Sequence, residues 1–120
     1  MGDVMLLLGL EETLGQELQR ALRGEDRIVQ AYPSLPPEAA RALIDRLRPA
    51  MVFLGGDWRN VRQLLRSAIS PVIVVSRRPE VSDWLDAIEA GAADYCAPPF
   101  ESAHLRWILE SARRTRAAAA

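Results

Sequence analysis

Few side chains in this sequence could carry out acid–base, nucleophilic or metal chemistry. All 15 basic residues are arginines, so no step that needs an ammonium group can use a side chain of this chain. One cysteine, Cys96, and one histidine, His104, cannot form a disulfide or a zinc site of the usual kind. Only Gly9 follows the first apolar run, where a phosphate-binding loop would need several glycines. These residue types argue against an enzyme.

The remaining polar side chains with chemical potential follow apolar runs. They are Glu11 and Glu12, Asp57, and Ser76. The runs before them, such as Val72 to Val75, are continuous and not alternating, which is typical of strands covered on both faces of a parallel sheet. Because the carboxyl ends of parallel strands meet at one edge, these side chains are predicted to share that edge.

The order of elements predicts a three-layer, doubly wound α/β domain. Five strands alternate with five helices joined by short turns, so the sheet is expected to be parallel with helices on both faces. Residues 1–116 are predicted to form one domain, and residues 117–120 a tail that is either the start of a linker or an appended remnant. The predicted strands cover residues 4–8, 27–32, 51–54, 72–75 and 94–97.

Composition predicts a cytoplasmic domain. The chain is 49% apolar and 26% charged, with a net charge of −1, so its charge gives no sign of binding to nucleic acid or to an anionic membrane. No stretch approaches the roughly 20 apolar residues of a membrane span, and the first ten residues do not resemble a signal peptide.

Three motifs at their spacing resemble the receiver domain of two-component response regulators. They are P-V-I-V-V-S at 71–76, A-I-E-A-G-A at 87–92 and D-Y-x-x-x-P-F at 94–100. The resemblance covers essentially the whole chain and implies a flavodoxin-like (βα)5 fold and a role in phosphorelay signal transduction. It also implies that Ser76 matches the switch hydroxyl and Tyr95 the aromatic switch, while Pro99 matches the proline that follows a cis peptide bond.

The residues for phosphoryl transfer do not match. In receivers an acidic pair holds Mg²⁺, an aspartate ending the third strand takes the phosphoryl group, and a lysine precedes the fifth-strand proline. The corresponding positions hold Gly9 and Leu10, Gly55, and Pro98. The sequence therefore predicts a degenerate form, or pseudo-receiver, with no catalytic residue and no cofactor.

Two alternative hypotheses place phosphorylation or ligand binding at the strand ends. In the first, Asp57 is a displaced phosphoacceptor, with Mg²⁺ held by Glu11 and Glu12 and a guanidinium of Arg77 or Arg78 in place of the ammonium. In the second, the strand-end pocket binds a small ligand among Trp58, Arg77 and Gly55. Without either function, Trp58 and Arg77 are predicted to fill the pocket beside Pro99.

Two tryptophans predict a contact surface. Trp84 is expected to lie off the inward stripe of Val81, Leu85 and Ile88, and Trp107 lies away from the inward Leu105 and Ile108 on the last helix. Receivers commonly use the corresponding face for dimers and output partners. We therefore expect a homodimer, or contact with a protein partner or fused output domain, in which Asp86 and Arg106 could pair across the interface. Alternatively, each tryptophan lies along its own helix against arginine stems.

The remaining residues have simpler interpretations. Cys96 is expected in the core and His104 on the solvated surface. Ser76 and Tyr95 either still move together or are inherited, with Ser76 bonded to backbone and the Tyr95 hydroxyl in water.

Overall fold

The computed structural model describes residues 3–23, 27–55, 62, 70–77 and 80–119. Within these ranges the chain forms five strands and four helices. The strands are β1 (Asp3–Leu8), β2 (Arg27–Tyr32), β3 (Met51–Leu54), β4 (Val72–Val75) and β5 (Asp94–Cys96). The helices are α1 (Glu12–Leu22), α2 (Pro37–Leu47), α3 (Val81–Ala90) and α4 (Ser102–Ala119). The helix expected between β3 and β4 lies largely outside the described residues.

All five strands are parallel, in the order β2-β1-β3-β4-β5. The chain runs outward from β1 to β2 and then returns to the other side of β1, where β3 pairs with it. The strand order therefore reverses between β1 and β3, and the carboxyl ends of these two strands flank the place where such folds usually bind ligands.

Apolar side chains on both faces of the sheet explain the continuous apolar runs. One face packs against α2 and α3 and includes Leu6, Val52, Val74 and Tyr95. The other face packs against α1 and α4 and includes Leu7, Phe53, Ile73 and Cys96. The predicted three-layer, doubly wound fold is confirmed.

Helix α3 turns its small residues, and not its large ones, towards the sheet. Ala87 and Ala90 are buried, whereas the side chains predicted to face inward, Val81, Leu85 and Ile88, are between 40% and 67% exposed. That prediction was wrong because two alanines allow the helix to lie close against the sheet, which leaves the bulky side chains on the outer face. Trp84 therefore belongs to the same stripe as these residues, at the i, i+3, i+4, i+7 spacing of one helix face.

The ends of α3 and α4 can be compared with the predicted helix end at Gly91 and the predicted tail. Gly91 ends α3 at a positive φ of 120°, as its position predicted, and its N–H donates to the Ile88 carbonyl. Helix α4 continues to Ala119, so it includes residues 117–119 of the predicted tail. Among the described helices, none combines the length and the apolar composition needed to cross a membrane.

Candidate functional site

The end of β1 presents no carboxylate at the two positions where the resemblance places the acidic pair. Gly9 has a positive φ of 69°, and its N–H donates to the Tyr32 carbonyl at 3.0 Å. Leu10 is buried in the core that packs against α1 and α4. Gly9 thus extends the hydrogen bonding between the ends of β1 and β2. Leu10 is part of the hydrophobic core.

Gly55 lies at the place where the strand order reverses, close against the backbone of Gly9. Its N–H donates to the Leu8 carbonyl at 2.9 Å, which draws the ends of β1 and β3 together. A Cβ atom at this position would lie 2.3 Å from the Gly9 carbonyl oxygen and 2.7 Å from the Gly9 carbonyl carbon. Only glycine fits such a contact, so the predicted phosphoacceptor position has no room for an aspartate side chain without backbone movement.

Arg77 connects the end of β4 to the segment that follows β1. Its Nε donates to Glu11 Oε1 at 2.6 Å, and its Nη2 lies 2.6 Å from the same oxygen. The same Nη2 is 3.6 Å from Glu17 Oε1 on α1. Because β3 lies between β1 and β4 in the sheet, this ion pair spans the carboxyl end of β3.

The ion pair changes the expected role of Glu11. The hydrogen bond that Arg77 donates to Glu11, and then the charges of Glu11 and Glu17, raise the pKa of Arg77 above its ordinary value, so the guanidinium stays charged. Glu11 was predicted as a metal ligand in the alternative that uses Mg²⁺, but here its carboxylate is engaged by Arg77. Glu17, which completes the contact, was not predicted, since it is one of several polar residues on α1 and carries no distinguishing sequence signal.

The described residues contain no group of three or more side chains that could hold a metal ion. Glu12, the other predicted metal ligand, is an exposed residue in the first turn of α1. Asp57, Trp58 and Arg78 lie outside the described residues, so the predictions that use them stay predictions.

The hydroxyl of Tyr95, one of the two predicted switch residues, does not form a hydrogen bond with the other, Ser76. Ser76 is half-buried, and its backbone N–H donates to the Cys96 carbonyl at 3.1 Å. Tyr95 is buried against the α2 and α3 side of the core, and its hydroxyl has no hydrogen-bond partner among the described residues. The alternative that places this hydroxyl in water is therefore wrong. The peptide bond between Pro98 and Pro99 is cis, as the resemblance implies.

Cys96 and His104 lie where the sequence predicts. Cys96 is buried, and burial, assisted by the charge of Asp94, raises the pKa of its thiol to about 12. Its thiol is therefore an unreactive core group, while His104 is exposed.

A cavity of about 200 Å³ lies at the amino end of the sheet, opposite the strand ends described above. Met5, Met51 and Leu109 contribute to its lining.

Exposed apolar side chains lie on α3 and α4, the helices before and after β5, which is an edge strand of the sheet. On α3 we define the apolar stripe as Val81, Trp84, Leu85 and Ile88, all exposed. On α4, Trp107 is 56% exposed, whereas Leu105 and Ile108 on the same helix are buried, as their spacing predicts. Asp86 on α3 and Arg106 on α4 are also exposed.

No family model matches the chain. In sequence it is 30% identical over 122 residues to the KDP operon transcriptional regulatory protein KdpE of Escherichia coli, covering 95% of this chain and 52% of that protein. It is 34% identical over 89 residues to protein-glutamate methylesterase/protein-glutamine glutaminase 6 of Anaeromyxobacter dehalogenans, covering 69% of this chain and 25% of that protein. The chain thus spans about half the length of the first relative and a quarter of the second.

A solved structure supports the fold. A two-component response regulator from Clostridium difficile superposes with a TM-score of 0.73 at 18% identity, covering 93% of this chain and 96% of that chain. An identity this low is informative about the fold alone. It supports the flavodoxin-like arrangement of strands and helices for this chain.

Proposed function

We propose that this receiver-like domain is a signalling module that works without phosphoryl transfer and acts through the surface formed by α3, β5 and α4. We further propose that this surface pairs two copies of the chain. The observation that carries the proposal is the exposed apolar stripe of Val81, Trp84, Leu85 and Ile88 on a helix that already contacts the sheet through alanines.

The size and composition of the stripe support a protein contact. Four large apolar side chains on one helix face form a patch on the order of a few hundred Å², the range in which exposed apolar patches mark interaction sites. Full burial of a leucine or valine side chain stabilises a complex by about 1.5–3 kcal/mol before the costs of association. Trp107 adds a second aromatic side chain on the other helix beside β5.

Charge supports a second copy as the partner. Helix α3 carries the acidic residues Asp83, Asp86 and Glu89, whereas α4 carries exposed Arg106 and Arg114. A two-fold axis places each helix of one copy near a helix of the other, so surfaces of opposite charge on the two helices are self-complementary.

The tight backbone contact at the end of β3 supports the proposal that the module works without phosphorylation. The contact between Gly55 and the Gly9 backbone leaves no space for an aspartate side chain, and Glu11 is engaged by Arg77. A phosphoryl group transferred to a side chain there would also lack the charge balance that a lysine and a metal ion supply in receivers.

We also propose a location, an absence of catalysis and a kind of partner for this module. The module is proposed to be cytoplasmic, to catalyse no reaction, and to bind no nucleic acid itself. Since KdpE is named as a transcriptional regulatory protein and is about twice as long as the matched region, an output domain is proposed either in the same protein or in a separate partner.

Dimerisation can be tested with a matched pair of substitutions. Leu85→Glu places a charge in the apolar stripe, whereas Ile28→Glu makes the same kind of change on β2, at the opposite edge of the sheet. Leu85 is 57% exposed and Ile28 is 48% exposed, so neither change removes a core contact. Sedimentation equilibrium is expected to show a dimer that Leu85→Glu weakens at least tenfold, a cost of about 1.4 kcal/mol, while Ile28→Glu leaves it intact.

Either of two results would contradict this proposed dimer: a monomeric wild-type chain at millimolar concentration, or equal weakening by both substitutions. Thermal unfolding of each variant serves as the control for folding, and both midpoints are expected within a few degrees of the wild-type value.

Phosphorylation is tested by incubating the chain with acetyl phosphate and Mg²⁺ and measuring its intact mass. No mass gain is expected. A gain that Asp57→Asn abolishes would support the alternative of a phosphorylatable receiver and would overturn the proposed independence.

A further inference from the structure

We infer that Arg77, Glu11 and Glu17 form an ionic latch that holds the entry to α3 against α1, and that this latch fixes the position of the apolar stripe. The inference rests on the proposed function, because it explains how the stripe is held in place without a phosphoryl group. The latch is defined by these three residues.

The contacts of the latch join two distant parts of the chain. Arg77 follows β4, while Glu11 follows β1 and lies 66 positions away in sequence. Nε and Nη2 of Arg77 both lie 2.6 Å from Glu11 Oε1, so the guanidinium approaches this oxygen with two nitrogens, a geometry that restricts its orientation more than a single contact does. Glu17 adds a second carboxylate at 3.6 Å.

The latch lies close to the apolar stripe along the chain. Only residues 78–80 separate Arg77 from Val81, which is both the first residue of α3 and the first member of the stripe. The first turn of α3 is held by the Trp84 N–H, which donates to the Glu80 carbonyl at 3.0 Å. A connection of three residues limits how far Arg77 can lie from the first turn of α3, so the latch restricts where that turn can move.

The latch combines one positive and two negative side chains. One guanidinium between two carboxylates links β4 to α1 across the end of β3, where Gly55 leaves no room for a side chain. Because all three side chains are partly open to solvent, the link is screened by salt and contributes modestly. Local stability varies along a chain, so a modest contribution can change how often one segment opens without changing global stability.

Native-state hydrogen exchange of the Trp84 amide measures the latch directly. Arg77→Glu would place three carboxylates together, and Arg77→Gln removes the charge with little change in size. The double variant Glu11→Arg with Arg77→Glu restores a pair of opposite charges in the reversed order. Arg41→Glu, on the exposed side of α2, is the matched control for an arginine reversed to glutamate elsewhere on the surface.

The expected results have a fixed order. Arg77→Glu raises the Trp84 exchange rate about five- to tenfold, Arg77→Gln about two- to fivefold, and Arg41→Glu leaves it within about twofold. The double variant returns the rate to within about twofold of the wild type. In 1 M NaCl the differences between wild type and the Arg77 variants shrink to less than about twofold, since the screening length there is about 3 Å.

The latch would be overturned if both Arg77 variants exchanged like Arg41→Glu, or if the double variant exchanged like Arg77→Glu alone. Failure of the proposed function is a separate result, because it is read from sedimentation of the wild-type chain and of Leu85→Glu. A monomeric wild type that still shows the ordered exchange rates would confirm the latch and contradict the dimer.

Discussion

Replacing Gly55 by alanine is expected to destabilise the protein by about 2–3 kcal/mol, although the change adds a single methyl group. Gly55 is buried, and the added Cβ would lie 2.3 Å from the Gly9 carbonyl oxygen and 3.1 Å from the Leu10 nitrogen. Carbon and oxygen atoms that are not bonded normally approach no closer than about 3.3 Å. The Gly9 carbonyl would therefore have to retreat by roughly 1 Å.

That retreat is resisted by the backbone on both sides of the contact. Gly9 donates to the Tyr32 carbonyl at 3.0 Å, and Gly55 donates to the Leu8 carbonyl at 2.9 Å. Moving the segment either strains these hydrogen bonds or separates the ends of β1 and β3. A loss of 2–3 kcal/mol corresponds to a fall in the melting temperature of roughly 8–12 °C for a domain of this length.

Two other glycines provide controls of different expected size. Gly15 lies in the interior of α1, and its added Cβ would meet only Leu10 Cβ at 3.8 Å, an ordinary contact. Gly15→Ala is therefore expected to stabilise the protein by about 0.5–1 kcal/mol through helix propensity. Gly9 has a positive φ but open space around its Cβ position, so Gly9→Ala is expected to cost about 1–2 kcal/mol of backbone strain alone.

Urea denaturation followed by circular dichroism gives the free energy of unfolding of all three variants. The reasoning is refuted if Gly55→Ala costs no more than Gly9→Ala, because the contact between the ends of β1 and β3 would then be loose enough to admit a side chain. In that case Gly55→Asp could also rebuild an acceptor, which a mass gain with acetyl phosphate and Mg²⁺ would reveal.

Two further predictions concern side chains of β5. Because burial raises the pKa of the Cys96 thiol to about 12, the folded chain is expected to react with iodoacetamide at pH 8 far more slowly than the chain in urea, and equal rates by mass spectrometry would contradict its burial. The contribution of this thiol to stability is complete below its unfolded pKa of about 8.5 and declines as the pH rises towards 12, so Cys96→Ala should lose less stability than the wild type over that interval. Tyr95→Phe removes a buried hydroxyl without a hydrogen-bond partner among the described residues, and is expected to leave the unfolding free energy unchanged or raise it by up to about 1 kcal/mol. A loss greater than about 1 kcal/mol in urea denaturation would show that this hydroxyl has a partner.

The sheet could be predicted from sequence because its strands are buried on both faces. A run such as Val72–Val75 has one main interpretation, since four consecutive apolar side chains need cover on both sides. The ends of the runs also located the shared strand-end edge correctly, and Gly91 marked the end of α3. These signals are local, so they do not depend on knowing which elements are neighbours.

The orientation of α3 could not be predicted from its periodicity alone. The helix has an apolar stripe on one side and two alanines on the other, and hydrophobicity favours burying the larger side chains. What decides the orientation is the distance between the helix and the sheet, where Ala87 and Ala90 fit and a leucine would not. The pairing of Arg77 with Glu11 was equally out of reach, because it depends on side-chain conformations at the ends of two strands 66 residues apart.

The backbone contact at Gly55 and the exposed stripe have a joint consequence for regulation. A ligand shifts the balance between two conformations only as far as its affinities for them differ. The contact of Gly55 with the Gly9 backbone leaves no room for an acceptor side chain at position 55, so this position offers no place for that difference to arise. The apolar stripe does offer one, because its side chains are exposed in the free chain and would be buried in a complex. Occupancy of the stripe then follows mass action, so the proposed module would respond to the concentration of its partner and not to a chemical modification.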